Sequence, residues 1–530
     1  MFFLTNIMSA IEKSIVQIFS DKTIVNYARP WSISHKERST GSGFAIDLIG
    51  FKKPTKYILT NAHCVNEASY VTVRKQGISR TFKAEIEAIG YEIDLAILSV
   101  DNKDFWNDTP TLMLGDIPSK LSKVQVFGYP LGGYNVSITQ GVVNRIQIIP
   151  YFNVAKGITI QIDAPINFGN SGGPAVNEKG EVVGIAFAGE DDARTQNMGY
   201  LIPTLIINLF LGNIKKFKSF NGLCWFGINK QKLTNNSLRE FYELKPHQTG
   251  ILVTGVESLG SLYGKIKEGD IITKFNDIVI DSDGTISMRA LIESTKKAET
   301  VPTEKVATVV EIPLASDERV TYGTAISLQL PGEDAMLTIL RNGEQKIIKF
   351  KTKLREFLVP ILPYQIEPSY FIVGGLVFVP LTLMMIEKLI EQGDDPGLYG
   401  YVGSEKMVEG QQKIVLSDIL LTEITDGYKD RFQIVWSVNG HIILNLAHLR
   451  EVVKQELKKS KFLKFEFENE MHSIVLKSVD VKKYTQTIAQ DQLGLSELYV
   501  NKNTFKSTFS KEDVELVRKV GFRKIEKNKI

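Results

Sequence analysis

A serine within a glycine-rich segment is the residue best suited to chemistry, at positions 167–174, which read Asn-Phe-Gly-Asn-Ser-Gly-Gly-Pro. A serine hydroxyl becomes a nucleophile when a neighbouring base removes its proton. Its attack on a carbonyl creates an oxyanion, which needs hydrogen-bond donors already in place. Glycines allow a tight turn, and the N–H groups of Gly169 and Ser171 are the candidate donors. The same pattern also suits an ordinary glycine-rich turn.

Two further residues could activate this serine. His63 follows an apolar run at residues 57–59, and Asp94 precedes another at residues 95–98. An aspartate can hold an imidazole in one tautomer and stabilise its cation. Taken singly, the position of His63 is also typical of a structural histidine, and that of Asp94 is typical of a residue that begins a strand. The chain order His63, Asp94, Ser171 is that of the double β-barrel serine proteases, not of subtilisin or the α/β-hydrolases.

The elements that must position these residues are mostly strands. Up to about residue 212, short apolar runs recur between glycine and proline, which predicts an all-β barrel or sandwich. Helices are predicted at residues 6–20, where isoleucines recur three or four positions apart, and at residues 204–211. The predicted fold class is therefore mainly β in this part of the chain.

The remaining sequence mixes strands and helices. Residues 223–354 contain an Asn-Gly hairpin signal. A polar segment at about 295–320 is interpreted as an insertion or a lid. A third unit at about 360–479 weakly repeats the second. In the tail, Ser510 and Asp513 have the spacing of a helix cap.

Composition excludes several classes of protein. The 530 residues predict three or four domains. Sixty-three basic against 60 acidic residues give a net charge of +3, which offers no electrostatic case for nucleic acid as a partner. Cys64 and Cys224 are too few for a disulfide scaffold. The histidines have no metal-binding spacing, and Gly132–Gly133 lacks the residues of a phosphate loop. We expect no metal and no cofactor.

Membrane and export signals are weak. The N-terminus lacks the basic region of a secretory signal. Residues 370–386 are apolar but contain two glycines and a proline and are shorter than the roughly 20 residues of a spanning helix. A buried strand followed by a turn and a helix is favoured there, with a membrane segment as the alternative. We expect no stable membrane span.

Six motifs together resemble the HtrA/Deg serine proteases: GSGFAI, TNAHCV, EIDLAIL, FGYPLG, GNSGGP and NMGYLIP. The segments INFGNSGGPAVNEKGEVVGIAFAG, NMGYLIPT, LLTEITDGY and SVNGHIILNLAHL look most like the plant-type Deg branch. The resemblance is strongest over residues 38–205 and extends more loosely to about residue 480. It implies that His63 is the general base, Asp94 the orienting acid and Ser171 the nucleophile. It also implies an oxyanion-hole loop formed by Gly169, Asn170 and Ser171.

The family's architecture implies a chymotrypsin-like double β-barrel followed by two PDZ-like domains, mainly β with α+β modules. The implied boundaries are residues 1–213 for the protease domain and 218–355 for the first PDZ domain, with the insertion inside it. A second, divergent PDZ-like domain covers 360–485, and a partly helical tail covers 486–530. Family members assemble as trimers or multiples of trimers, which implies a homo-oligomer.

Primary specificity can be read from the residues before and after the nucleophile. The position six residues before Ser171 would favour basic substrates if it were acidic, and here it is Pro165. With Ile166, Ile185 and Ala186 as further candidate pocket residues, we expect a small or medium aliphatic side chain to fit. An apolar pocket discriminates by only about 1–3 kcal/mol per methylene, so broad cleavage is expected.

The second unit carries a candidate peptide-binding loop at Trp225, Phe226, Gly227 and Ile228, which resembles a PDZ carboxylate-binding loop. Alternatively, Trp225 and Phe226 are ordinary core residues of a domain that binds no peptide. The third unit has no clear equivalent, and residues 374–376 come nearest. We expect that unit to be structural or to mediate assembly.

The predicted function is that of an ATP-independent serine endopeptidase for unfolded or damaged proteins. The alternative is a chaperone or PDZ-based binding scaffold with a resting protease domain. The expected location is the cytoplasm, with the cell envelope or an organelle as alternatives.

Overall fold

The computed structural model describes residues 2–52, 55–130, 133–151, 155–192, 195–298, 318–360, 369–393, 397–468, 472–488, 499–500 and 507–527. They form two compact units. One contains Met1–Lys22 with Glu37–Arg355, and the other contains Thr23–Lys36 with Glu356–Ile530. Residues 23–36 thus belong to the second unit, within which Arg29 forms an ion pair with Asp418 at 2.5 Å.

Six strands close the first barrel: β1 (Ile15–Val25), β2 (Ile33–Asp47), β3 (Lys56–Thr60), β4 (Ala68–Lys75), β5 (Phe82–Gly90) and β6 (Leu95–Ser99). They are joined in the order β1-β2-β3-β6-β5-β4. Helix α1 (Phe2–Ser14) precedes the barrel, α2 (Ala62–Val65) follows β3, and α3 (Lys103–Trp106) follows β6. The single-turn 3₁₀ helix Tyr91–Ile93 separates β5 from β6.

The helix predicted for residues 6–20 was wrong beyond residue 14. Strand β1 begins at Ile15 and pairs antiparallel with β4. Val16 and Ile18 are buried in the barrel. β-branched residues suit a half-buried strand, and barrel closure outweighs the helical spacing of the isoleucines.

The second barrel also has six strands: β7 (Lys123–Gly128), β8 (Ser137–Tyr151), β9 (Ala155–Ile162), β10 (Pro174–Val176), β11 (Val182–Asp192) and β12 (Thr195–Pro203). Their order is β10-β11-β12-β9-β8-β7. Helix α4 (Thr204–Phe217) follows and extends past the end predicted at residue 211. Two six-stranded barrels in succession confirm the predicted chymotrypsin-like double barrel.

Residues 224–354 form a mixed α/β part of the same unit. Its elements are β13 (Cys224–Trp225), β14 (Ile228–Lys232), α5 (Asn236–Phe241), β15 (Ile251–Val256), β16 (Ile271–Phe275), β17 (Ile278–Val279), β18 (Thr285–Ser287), α6 (Met288–Ala298), β19 (Arg319–Thr321), α7 (Gly323–Ser327), β20 (Asp334–Arg341), β21 (Glu344–Lys351) and β22 (Lys353–Leu354). The main sheet runs β14-β15-β16-β20-β21.

Two sequence predictions fall within this part. The hairpin predicted at Asn342–Gly343 joins β20 to β21, and both residues have the positive φ that a type I′ turn requires. Most of the predicted insertion, residues 299–317, lies outside the described residues. Helix α6 and strand β19 flank it on either side.

The second unit contains β23 (Tyr370–Val373), β24 (Leu376–Pro380), α8 (Leu383–Glu391), the 3₁₀ helix Leu398–Tyr401, β25 (Ile414–Ile419), β26 (Gln433–Val438), β27 (His441–Ile442), α9 (Leu446–Lys459), β28 (Phe462–Phe467), β29 (Ser473–Lys477), α10 (Ser478–Thr487), β30 (Tyr499–Val500) and α11 (Lys511–Lys527). Its sheet runs β29-β28-β26-β25-β24-β23-β30.

The apolar segment at residues 370–386 forms two strands, β23 and β24, and then enters helix α8. The predicted strand, turn and helix are therefore present with one additional strand. Among the described residues, no helix has the length and apolar character needed to cross a bilayer. The predicted cap is also present, because Ser510 Oγ accepts a hydrogen bond from the N–H of Asp513 at 3.0 Å.

Candidate active site

His63 and Asp94 are hydrogen-bonded to each other. His63 lies in α2, directly after β3, and its Nδ1 is 2.8 Å from Oδ2 of Asp94 and 3.1 Å from Oδ1. The backbone N–H of His63 donates to the same carboxylate at 2.9 Å. The Asp94 side chain is only 2% exposed, whereas that of His63 is 26% exposed. The carboxylate is thus buried behind an imidazole that still reaches solvent.

The backbone at Asp94 explains how the carboxylate reaches the histidine. Asp94 ends the 3₁₀ helix Tyr91–Ile93 in the left-handed region, with φ of +53°. Aspartate tolerates this region better than most residues do. Asn61 donates from Nδ2 to the Asp94 carbonyl at 2.9 Å, which ties the turn to the segment that carries His63.

Burial and charge act in opposite directions on His63. Burial disfavours the imidazolium, but the neighbouring Asp94 carboxylate stabilises it and raises the pKa of His63 well above its ordinary value. This is the electrostatic arrangement that a general base needs in order to hold a proton taken from a serine.

Ser171 lies in the second of two consecutive tight turns. In the first, the N–H of Asn170 donates to the carbonyl of Asn167 at 3.0 Å, and Gly169 has φ of +97°. In the second, Gly173 donates to Asn170 at 2.9 Å, and Gly172 has φ of +87°. A positive φ at the third position is typical of a type II turn and favours glycine.

Close packing explains the remaining glycine pattern. A Cβ atom on Gly172 would lie 2.0 Å from the carbonyl oxygen of Ser42, and one on Gly173 would lie 1.9 Å from that of Phe127. Neither position accepts a side chain without a backbone shift. The glycine-rich sequence is therefore required both by turn geometry and by the close approach of neighbouring strands.

Ser42, in β2, holds the Ser171 segment in place from the first barrel. Its hydroxyl donates to the carbonyl of Gly169 at 2.6 Å and accepts from the N–H of Tyr129 at 2.8 Å. Its backbone N–H donates to the carbonyl of Ser171 at 2.8 Å. That carbonyl also lies 3.5 Å from Sγ of Cys64, the residue after His63. The segments of Ser171 and His63 are thus brought into contact.

Sequence reasoning did not single out Ser42, because its partner Gly169 is 127 positions away. The GSGFAI motif contained the residue but gave no sign of its role. Asn170, predicted as part of the oxyanion-hole loop, is buried beside Gly128. Phe168, the residue immediately before this loop, is 84% exposed.

The four predicted pocket residues do not share one environment. Ile166 and Ala186 belong to the same apolar cluster inside the second barrel. Ile185 lies in a different cluster, since neighbouring residues of a strand point to opposite faces. Ile185 thus does not share the cluster of Ile166 and Ala186. Pro165 is exposed, at the start of the segment that leads to Ser171.

Gly199, in β12, approaches this cluster and was not predicted as a pocket residue. A Cβ atom there would lie 2.5 Å from the carbonyl oxygen of Ala164 and 2.9 Å from the side chain of Ile166. The absence of a side chain at Gly199 thus allows β12 to pack closely against Ala164 and Ile166. Its place within the NMGYLIP motif was the available sequence signal.

In the candidate peptide-binding loop, three successive carbonyls are hydrogen-bonded to residues 257–262. Trp225 accepts from the hydroxyl of Ser261, Phe226 from the N–H of Leu262 at 3.2 Å, and Gly227 from that of Glu257 at 2.9 Å. Phe226 is buried in the core, whereas Trp225 and Ile228 are half-buried. Hydrogen bonds to these three carbonyls thus hold the loop in place.

In the second unit, Gly374 and Gly375 form the turn between β23 and β24. Strand β24 is paired on both sides, with β23 and with β25. No group of three His, Cys, Asp or Glu side chains suited to a metal ion occurs among the described parts of the chain.

Comparison with known proteins agrees with this geometry. Residues 41–185 match a trypsin-like peptidase domain and residues 359–493 match a PDZ domain. The chain is 36% identical over 461 residues to "Protease Do-like 2, chloroplastic" of Arabidopsis thaliana, and this alignment covers 86% of this chain and 70% of that protein. The chain belongs to the HtrA/Deg family of serine proteases. The PDZ match falls on the third unit, which had been considered the more divergent one.

Two further relatives of this HtrA/Deg protease extend the comparison. "Protease Do-like 4, mitochondrial" of Arabidopsis thaliana is 34% identical over 480 residues, 90% of this chain and 83% of that protein. "Serine protease DegP homolog" of Plasmodium falciparum is 28% identical over 521 residues, 83% of this chain and 58% of that protein. The plant relatives' names place those proteins in organelles and give no support to the cytoplasmic location expected above.

Proposed function

We propose that this protease is an ATP-independent endopeptidase that cleaves unfolded or damaged proteins through His63, Asp94 and Ser171. His63 removes the proton from Ser171 Oγ as the oxygen attacks a peptide carbonyl. It then returns the proton to the leaving amine, and the C–N bond breaks. Water attacks the resulting acyl-enzyme with His63 again acting as base, which releases the acid and regenerates Ser171. Asp94 keeps the imidazole in the required tautomer.

The observation that carries this proposal is the hydrogen bond between His63 and Asp94, beside a serine turn that Ser42 attaches to the same barrel. The oxyanion is assigned to the N–H groups of Gly169 and Ser171. Because the turn is fixed by several backbone hydrogen bonds, these donors need little reorganisation during the reaction.

For specificity, we assign the primary pocket to Ile166, Ala186 and Gly199, with Pro165 at its rim. None of the four carries a charge, which supports a small or medium aliphatic side chain in the substrate. The aliphatic cluster that contains Ile166 and Ala186 is the supporting observation.

For organisation, we assign residues 1–213 to the protease domain, 218–355 and 360–485 to two PDZ-like domains, and 486–530 to the tail. The loop Trp225–Ile228 is assigned to capture of a peptide C-terminus. Assembly as a homo-oligomer, with three subunits or a multiple of three, follows from the family. The organellar names of the plant relatives support an organelle as the location.

The test is a fluorophosphonate probe, which labels an activated serine. We expect labelling of the wild-type protein and casein cleavage without ATP, both lost in Ser171→Ala and His63→Ala. Intact mass measurement should place the adduct on Ser171. A folded protein that is never labelled and never cleaves casein would contradict the proposal and favour the binding scaffold.

A further inference from the structure

Strand β14 lies at the edge of its sheet. It pairs with β15 on one side, and among the described strands none pairs with its other side. Such an edge can accept an extended peptide as an additional strand, with main-chain hydrogen bonds for affinity and alternate side chains for selectivity. The loop Trp225–Ile228 leads into this edge. A peptide that added there antiparallel would place its terminal carboxylate at the loop.

Two lysines on β14 face the side on which such a peptide's alternate side chains would lie. Lys230 is paired with Val253, and Lys232 with Ile251. Directly paired residues of antiparallel strands point to the same face. Val253 and Ile251 lie in the core on which α7 packs. The lysines therefore project between β14 and α7.

Lys230 reaches the start of α7. Its Nζ lies 4.3 Å from the ring centroid of Tyr322, the residue immediately before that helix. Tyr322 is buried and its ring stacks on Phe226 of the candidate loop. The ammonium group of Lys230 thus lies over an aromatic wall next to the loop that would hold the carboxylate.

The charges around these lysines favour an anionic ligand. Lys232 interacts electrostatically with Asp283. For Lys230, burial and the positive charge of Lys232 both lower its pKa. The Nζ atom of Lys230 lies over the Tyr322 ring, and no ion pair with a carboxylate is found for it among the described residues. A carboxylate placed here would relieve the repulsion between the two ammonium groups and form a charge-assisted hydrogen bond.

We propose that the groove between β14 and α7 selects peptide C-termini that carry an aspartate or glutamate at the third residue from the end, recognised by Lys230. In an added antiparallel strand, the terminal side chain lies beside Ile228, and the one two residues earlier lies beside Lys230. The inference rests on the proposed capture of a carboxylate by Trp225–Ile228 and adds the chemical class of its ligand.

Fluorescence polarisation with labelled decapeptides tests the inference on the full chain carrying Ser171→Ala, which prevents cleavage. The peptides share an apolar C-terminal residue and differ only at the third residue from the end. We expect the aspartate peptide to bind about 5- to 10-fold more tightly than the alanine peptide, and the lysine peptide most weakly. Amidation of the C-terminus should abolish binding.

Three variants test whether Lys230 is the residue that contacts the third side chain from the end of the peptide. Lys230→Glu should reverse the order of the aspartate and lysine peptides, and Lys230→Arg should keep the original order. Gln231→Ala is the matched control, because Gln231 is on the same strand and points to the opposite face. Circular dichroism of each variant verifies the fold.

Equal affinity for the three peptides, no binding of any of them, or an order unchanged in Lys230→Glu would overturn the inference. These results are separable from the proposed catalysis, since fluorophosphonate labelling of Ser171 is measured without a peptide. Labelling without selective binding removes only this inference. Selective binding without labelling removes only the endopeptidase proposal.

Discussion

Replacement of Ser42 by alanine should impair catalysis through a residue that touches neither substrate nor histidine. The hydroxyl is fully buried, donates to the Gly169 carbonyl and accepts from the Tyr129 N–H. Its removal leaves two buried backbone groups without that partner, at about 1–2 kcal/mol each. We therefore expect a loss of about 2–4 kcal/mol in the free energy of unfolding.

The catalytic effect of Ser42→Ala should appear in kcat. Loss of a single oxyanion-hole donor costs about 10²- to 10³-fold in kcat, so a turn that is loosened but not removed should cost about 10- to 100-fold. KM should change little. The acid limb of the pH profile should stay in place, because the contacts between His63 and Asp94 do not involve Ser42.

The assay is steady-state cleavage of an aliphatic peptide substrate, with rates normalised to active sites titrated by the fluorophosphonate. Thr425→Val is the matched control. Thr425 is equally buried, donates to Leu420 and accepts from Thr422, and lies in the other unit. A kcat within twofold of wild type in folded Ser42→Ala, or an equal loss in Thr425→Val, would refute the reasoning.

Three further predictions address charge and shape. Asp94→Asn should lower kcat by about 10³- to 10⁴-fold and shift the acid limb of the pH–rate profile to lower pH, since the carboxylate no longer raises the pKa of His63; an unmoved limb would contradict this. Burial raises the pKa of Glu92 to about 7. The stabilising contribution of protonated Glu92 is present below its ordinary pKa near 4.5 and is lost as pH rises through about 7. Glu92→Gln should therefore raise the free energy of unfolding at pH 8 by up to about 3 kcal/mol, with a higher melting temperature, and should have no such effect at pH 4. Equal shifts at both pH values would count against this. Gly199→Ala should lower kcat/KM for valine substrates by about 10-fold more than for alanine substrates, measured with matched peptides; uniform losses would argue against a pocket there.

Much of the barrel and its central contacts could be predicted from sequence because the chemistry restricts residue types. A nucleophilic serine needs glycines around it, and the order of histidine, aspartate and serine fits one class of double barrel. The contact between His63 and Asp94 depends on two segments that the motifs already located. The strands that carry them are short and apolar, with clear turn residues between them.

Other features depend on tertiary contacts that no local pattern contains. Ser42 acts through partners 87 and 127 positions away. The error at Ile15 arose because isoleucines spaced for a helix also suit a barrel strand, and only closure with β4 decides between them. The separation of Ile185 from Ala186 could have been predicted, since the two residues are adjacent on β11 and point to opposite faces.

The turn just before Ser171 displays Phe168 almost completely to solvent. A phenyl ring in water is unfavourable until another apolar surface covers it. A native globular protein keeps most of its large apolar side chains inside and so offers little to cover this ring. A collapsed or heat-damaged chain offers many such side chains. The preference for unfolded proteins proposed above would then depend on a single ring rather than on recognition of any sequence.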